Sequence, residues 1–116
     1  MIGAPLEVVF ATRDLEKKLG SDKARRRLLG DEIGRRVGVR LVDLFEAPSL
    51  EALRHTPGRC HELSEDRKGQ LAVSLTRNYR LVFEPADEPI PVLEHGGLDW
   101  SAVTKIRIME VTDYHD

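Results

Sequence analysis

Residues 59–83 read RCHELSEDRKGQLAVSLTRNYRLVF, and residues 110–116 close the chain with EVTDYHD. Apolar side chains recur at every second position through the longer stretch. In residues 70–75, Leu71, Val73 and Leu75 point one way while Gln70, Ala72 and Ser74 point the other. Further on, Tyr79, Leu81 and Phe83 share one face, which leaves Arg80, Val82 and Glu84 on the opposite face. Thr76, Arg77 and Asn78 form a tight connection between these two segments, and asparagine tolerates the positive φ that such a turn can require. The stretch therefore predicts a short strand near Cys60, a polar turn and a two-stranded hairpin. Residues 85–97, rich in proline and closed by Gly96-Gly97, predict a loop. A final strand falls between Trp100 and Tyr114, with Ile106 and Ile108 on a common face.

Upstream the period changes. Residues 6–11 (LEVVFA) are apolar, β-branched and short, which predicts a central strand. Thr12 is an N-cap for a short helix over residues 13–19, ended by Gly20. Ser21-Asp22 caps a longer helix expected to reach about Glu46. Along it Leu29, Ile33, Val37, Leu41, Leu44 and Phe45 recur at helical spacing, and Arg25, Arg26, Arg35, Arg36 and Arg40 line the rest. Gly30, Gly34 and Gly38 either permit close helix–sheet contact or bend this helix. Pro48 ends it, and Ser49 caps a last turn over residues 50–55. Helices followed by an antiparallel meander make the fold class α+β.

With 116 residues, 41% hydrophobic and 33% charged, the chain is expected to form one domain, residues 1–116, with a sizeable core. No apolar run approaches the ~20 residues of a membrane span, and no basic-then-apolar signal opens the sequence, so the cytoplasm is the expected location. The single cysteine, Cys60, excludes an internal disulfide and a multi-cysteine zinc site. The four histidines show no metal-ligand spacing, and no metal or cofactor is expected. A net charge of −2 is unlike the basic balance common in nucleic-acid proteins. The cations are concentrated in the first half, however, and many acids sit in or near the loop of residues 84–99. A local basic groove is compatible with that distribution.

Chemistry-bearing residues gather on the hairpin and after it. An arginine in mid-strand, Arg80, is costly unless its face is open to solvent, substrate or an acid. Spacing alone leaves two readings: an edge-strand arginine paired with Glu84 or Glu110, or a guanidinium that grips phosphate in two-point fashion. A histidine can donate or accept a proton near neutral pH, so His115 either transfers a proton or is a terminal residue without a role. Arg67 and Lys68 either contact phosphate or belong to a charged surface turn. Cys60 and His61 are adjacent on a strand and point to opposite faces, which rules out a thiolate–imidazole pair. Arg25, Arg26 and Arg27, with Arg35 and Arg36, form either a solvated helix face or a contact for the ribosome or an acidic partner.

The order HEL..DRKGQ, then Asn-Tyr-Arg-Leu-Val-Phe, then a closing Asp-Tyr-His resembles the HigB branch of the RelE/ParE toxin superfamily over most of the chain. The resemblance implies a fold like that of microbial ribonucleases, a short antiparallel sheet with N-terminal helices packed on one side. It implies a ribosome-dependent mRNA endoribonuclease of a type II toxin–antitoxin system, with Arg80 and His115 catalytic and Arg67, Lys68, Arg77, His61, Tyr79 and Tyr114 on the RNA. It also implies a helix-turn-helix (HigA-like) antitoxin as partner, with DNA reached only through that complex. Many HigB-like toxins carry Lys-Gly directly before the Asp-Arg, where this chain has Ser64-Glu65. Two alternatives accompany the resemblance: a ParE-like gyrase inhibitor, and an inactive homologue that still binds its antitoxin.

Overall fold

The computed structural model describes residues 5–113, so that Tyr114 and His115 lie outside the described residues. Strand β1 (Glu7–Phe10) is followed by helix α1 (Arg13–Leu19), whose N-cap Thr12 accepts a hydrogen bond at Oγ1 from the Leu15 N–H, 3.0 Å. Ser21 caps helix α2 (Asp22–Leu29) in the same way, through Ala24 N–H at 3.1 Å. Helix α3 spans Asp31–Glu46. The single long helix expected from residue 21 is therefore two helices. Gly30 separates them with φ 86°, ψ 169°, a backbone conformation that glycine adopts without a Cβ penalty. It closes both helix ends, its N–H donating to Arg26 and its carbonyl accepting from Gly34, each at 2.9 Å.

The reversal at Gly30 folds α2 back along α3, and that gives Gly34 its role. A Cβ there would lie 2.8–2.9 Å from backbone atoms of Arg25 and Arg26. The glycine spacing in this region serves a helix–helix approach rather than the helix–sheet contact expected. After α3 a 3-10 turn (Glu51–His55) is capped by Ser49, as the sequence implies.

The remaining strands are β2 (His61–Glu62), β3 (Leu71–Ser74), β4 (Tyr79–Pro85) and β5 (Lys105–Asp113), with a 3-10 turn (Glu65–Arg67) between β2 and β3. They form one five-stranded sheet in the order β1-β5-β4-β3-β2. The fold is α+β as expected, but the sheet is mixed. β1 pairs in parallel with β5, Val8 opposite Ile106 and Phe10 opposite Ile108. It is an edge strand, not a central one, and β4 holds the centre. The apolar run of β1 is explained by Leu6, Val8 and Phe10 joining the core, while Glu7 approaches Lys105 at 4.0 Å.

The helices cover one face of the sheet. Leu71, Val73, Leu75, Leu81, Phe83, Ile106 and Ile108 meet Leu19, Val37, Leu41, Leu44, Leu50 and Leu53 there. A one-residue register slip would turn these strand residues outward, at about 2 kcal/mol for each buried side chain, so the alternation dictates the register. Among the described residues, the opposite face carries a small apolar patch of Leu63, Ala72 and Val82, flanked by Met109. On β5 the pairing jumps from Ile108 opposite Phe83 to Glu110 opposite Val82, which makes Met109 a bulge. The bulge shifts the alternation, so that Val111 rejoins the core while Glu110 shares the open face with Val82.

The hairpin turn is tied by Tyr79, whose carbonyl accepts from Leu75 and whose N–H donates to Thr76 Oγ1. Asn78 does not take the positive φ considered for it; among the described non-glycine residues Arg59 and Glu65 do. Between β4 and β5 the loop is anchored by Asp87, which accepts hydrogen bonds from Thr104 N–H, Thr104 Oγ1 and Lys105 N–H. Partial burial raises the Asp87 carboxyl, but these hydrogen bonds outweigh it and hold the group below its ordinary value.

Gly34→Ala is expected to destabilise the protein by about 1–3 kcal/mol, since neither helix backbone can yield easily. Urea unfolding measures this, and a change below about 0.5 kcal/mol would show that α2 and α3 separate freely. Asp87→Asn is expected to destabilise by roughly 1 kcal/mol at pH 7. Because the folded carboxyl titrates below its unfolded value, the stabilisation is present above the usual carboxylate range and disappears as pH falls through the depressed value. Melting curves of the two proteins should therefore converge in acid.

Candidate nucleic-acid interface

The open face of the sheet collects the charged residues that strand alternation turns away from the core. Arg80 on β4 lies opposite Ser74 of β3 and Thr112 of β5. Its side chain bends back over the hairpin turn, and Nη1 donates to the carbonyls of Thr76 (3.1 Å), Arg77 (3.2 Å) and Tyr79 (3.1 Å). Carbonyl oxygens orient a guanidinium without neutralising it. No carboxylate lies within 4.0 Å of Arg80 among the described residues, and its buried Nε has no hydrogen-bond partner there. A cation held rigidly, with donors left over, is suited to an anion arriving from solvent.

The two acids considered as partners for Arg80 are engaged elsewhere. Glu84 pairs with Arg107 at 2.7 Å, directly across the β4–β5 register. Glu110 pairs with Arg67 at 3.1 Å, and Arg67 also donates to Gln70 at 3.3 Å. The edge-strand reading of Arg80 is thus corrected on both counts, for β4 is central and Glu84 and Glu110 have other cations. The sequence contained the necessary signal. Arg107 and Glu84 lie one residue from core positions Ile106, Ile108 and Phe83, so alternation turns both to the open side.

Among the other candidates, His61 pairs with Ala72, on the same face as the Leu63–Val82 patch, and its Nδ1 sits 2.8 Å from the Arg59 carbonyl, donating to it. Arg67 spans that face from the 3-10 turn to Glu110 on β5. His61, Arg67 and Arg80 therefore share one surface, with Arg77 exposed on the adjoining turn. Tyr79 does not join them, since it packs against the helix-side core. Lys68 lines a separate cleft of about 230 Å³ with Ile90, Val92 and Leu98. The acidic loop begins at the far end of β4, five residues or about 17 Å from Arg80, and so borders Lys68 rather than the arginine. Cys60 is buried, and desolvation, with the Glu62 charge and against the pull of Arg54, pushes its thiol up to about 12. It is a packing residue beside the Trp100 indole, which donates to Glu62 (2.9 Å) under the Arg54 guanidinium (3.7 Å).

No protein-family model and no curated protein matches the sequence. Solved structures do share its fold. A YoeB/ParE toxin from Agrobacterium tumefaciens superposes with a TM-score of 0.55 at 9% identity, over 95% of this chain and 100% of that one. Chains from the YoeB–YefM complex and from the YoeB dimer of Staphylococcus aureus give 0.54 and 0.53, each at 15% identity, over 97% of this chain and 100% of theirs. The fold is that of the YoeB/ParE toxins, and the α+β arrangement implied by the resemblance is observed with the parallel β1 added.

Proposed function

We propose that this protein is the toxin of a type II toxin–antitoxin pair and that it cleaves mRNA in the ribosomal A site. The observation that carries this reading is Arg80, a cation fixed by three carbonyls on the uncovered face of the sheet with no carboxylate partner among the described residues. The fold shared with YoeB/ParE toxins supports the toxin assignment, and the YoeB–YefM complex supports a protein partner for this chain as well. That partner is a HigA-like antitoxin encoded nearby.

In the proposed reaction the ribose 2′-oxygen attacks the adjacent phosphorus, and the bond to the 5′-oxygen of the next nucleotide breaks. The products are a 2′,3′-cyclic phosphate and a 5′-hydroxyl. The 2′-hydroxyl loses its proton as the new P–O bond forms, and the leaving 5′-oxygen gains one. His115, which lies outside the described residues, is assigned to this proton transfer. Arg80 is assigned to the charge that builds on the pentacoordinate phosphorus. Arg67, Arg77 and His61 position the strand, and Tyr114 stacks on a base. Lys68, on its separate cleft, is left out of the site.

Arg80→Ala is expected to lower cleavage at least about 100-fold, in line with loss of one transition-state donor, and His115→Ala to act comparably. Both variants should keep their melting temperature and bind antitoxin as the parent does. Growth after induction without antitoxin is the readout: arrest by the parent and tolerance of both variants is the expected result. Arrest by both variants would overturn the assignment, and loss of gyrase supercoiling in vitro would redirect it to a ParE-like inhibitor. Tolerance of the parent chain would point to an inactive homologue.

A further inference from the structure

The hairpin turn that carries Arg80 has a second side. Behind it lies a polar cleft of about 530 Å³, walled by Glu32, Arg36 and Arg40 of α3 and by residues Ser74 to Asn78. The turn is therefore a partition. Its Thr76 and Arg77 carbonyls accept hydrogen bonds from Arg80, and the same two residues line the cleft.

Three arginines meet in this cleft, and they are not equivalent. Arg40 is occupied, since Nε donates to the Ser74 carbonyl (2.9 Å) and Nη1 pairs with Asp43 (2.9 Å) on a side chain only 14% exposed. It is a structural tie between α3 and the end of β3. Arg36 and Arg77 make no ion pair among the described residues, and Arg36 Nε is buried there without a hydrogen-bond partner. A buried N–H on a charged group without a partner is a substantial loss that an incoming acceptor would recover. Glu32 is the one carboxylate on the cleft wall. Although it sits one helical turn from Arg36, it is not ion-paired to it. The cleft thus keeps uncompensated positive charge in a concave polar setting, which is the requirement for binding an anion.

We infer that Arg36 and Arg77 form a second phosphate subsite, across the hairpin turn from Arg80, that holds the RNA backbone next to the nucleotide being cleaved. This deepens the functional reading above and rests on it for the identity of the ligand. A phosphodiester chain fits better than a free metabolite. The cleft has no aromatic residue on its wall to take a base, and its neighbour across the turn, Arg80, is another arginine without a carboxylate partner among the described residues. The helix arginine Arg36, which sequence reading leaves among the residues of a solvated face, is the new member. It reaches the site because α3 runs past the β3–β4 turn, where Arg40 fastens the two together.

The test is the salt dependence of binding to a fluorescent single-stranded RNA with 2′-O-methyl riboses, which the proposed chemistry cannot cut. For single strands the slope of log affinity against log salt changes by about 0.7 per phosphate contact. Arg77→Gln should flatten the slope by about 0.7, and Arg36→Gln with Arg77→Gln by about 1.4. Arg77 is exposed, so its variant folds normally even if the Arg36 change perturbs α3. Lys23→Gln, a charge-matched change on α2, should leave the slope unaltered. An unchanged slope in Arg77→Gln, or an equal change in Lys23→Gln, overturns the subsite. Failure of the parent protein to bind the RNA overturns the subsite, while cleavage of translated mRNA in cells would leave the functional reading standing. Cleavage by Arg80→Ala at the parental rate, with the Arg77 slope effect intact, would reject the catalytic assignment and leave the phosphate subsite standing.

Discussion

Among the described residues, helices pack against one face of this sheet only, and the rest of the structure follows from that constraint. Each strand must send apolar side chains one way, and whatever it sends the other way has to be satisfied without a core. The protein meets this demand with ion pairs laid across the strands, Arg107 on Glu84 and Arg67 on Glu110, around a small apolar patch. Arg80 is treated differently. Its guanidinium turns back onto the carbonyls of its own hairpin, so the charge is oriented rather than cancelled. Carbonyls satisfy donors and leave the net positive charge in place, whereas a carboxylate would satisfy the donors and cancel the charge.

The β5 bulge at Met109 is what makes this arrangement possible on a strand that also has to fill the core. Strict alternation from Ile106 and Ile108 would carry Glu110 to the helix side. By inserting one residue, the chain keeps Ile106, Ile108 and Val111 in the core and delivers Glu110 to Arg67. The bulge thereby brings Glu110 to the open face, where its pairing with Arg67 takes it out of competition for Arg80. At the other end of the sheet, the Asp87 anchor holds the long loop against Thr104 and Lys105, away from the arginine.

Much of this was legible in residue order. The alternation of residues 70–84 identifies the hairpin and separates Arg80 from Tyr79 and Phe83 before any coordinates are considered. Thr12, Ser21 and Ser49 announce their caps because short hydroxyl side chains satisfy the first N–H groups of a helix. Three features were not legible. Gly30 within a helical pattern can be tolerated or can break it, and only the close approach at Gly34 decides for the break. The parallel pairing of β1 with β5 joins residues nearly a hundred positions apart, which no local pattern encodes. Glu65 adopts φ 58°, a conformation that glycine takes more easily, so residue type does not announce the turn there. For the candidate site, periodicity supplied the face and the resemblance supplied the chemistry. Arg36 was hidden because its role depends on where α3 passes the turn.

The central claim is that an uncancelled arginine on an uncovered sheet face serves RNA cleavage. The most direct measurement is 5′-end mapping of cellular transcripts after induction of this protein alone, with the Arg80→Ala variant in parallel. The account predicts new 5′-hydroxyl ends within translated codons, present with the parent chain and absent with the variant. Intact messages, or the same ends produced by the variant, would contradict it.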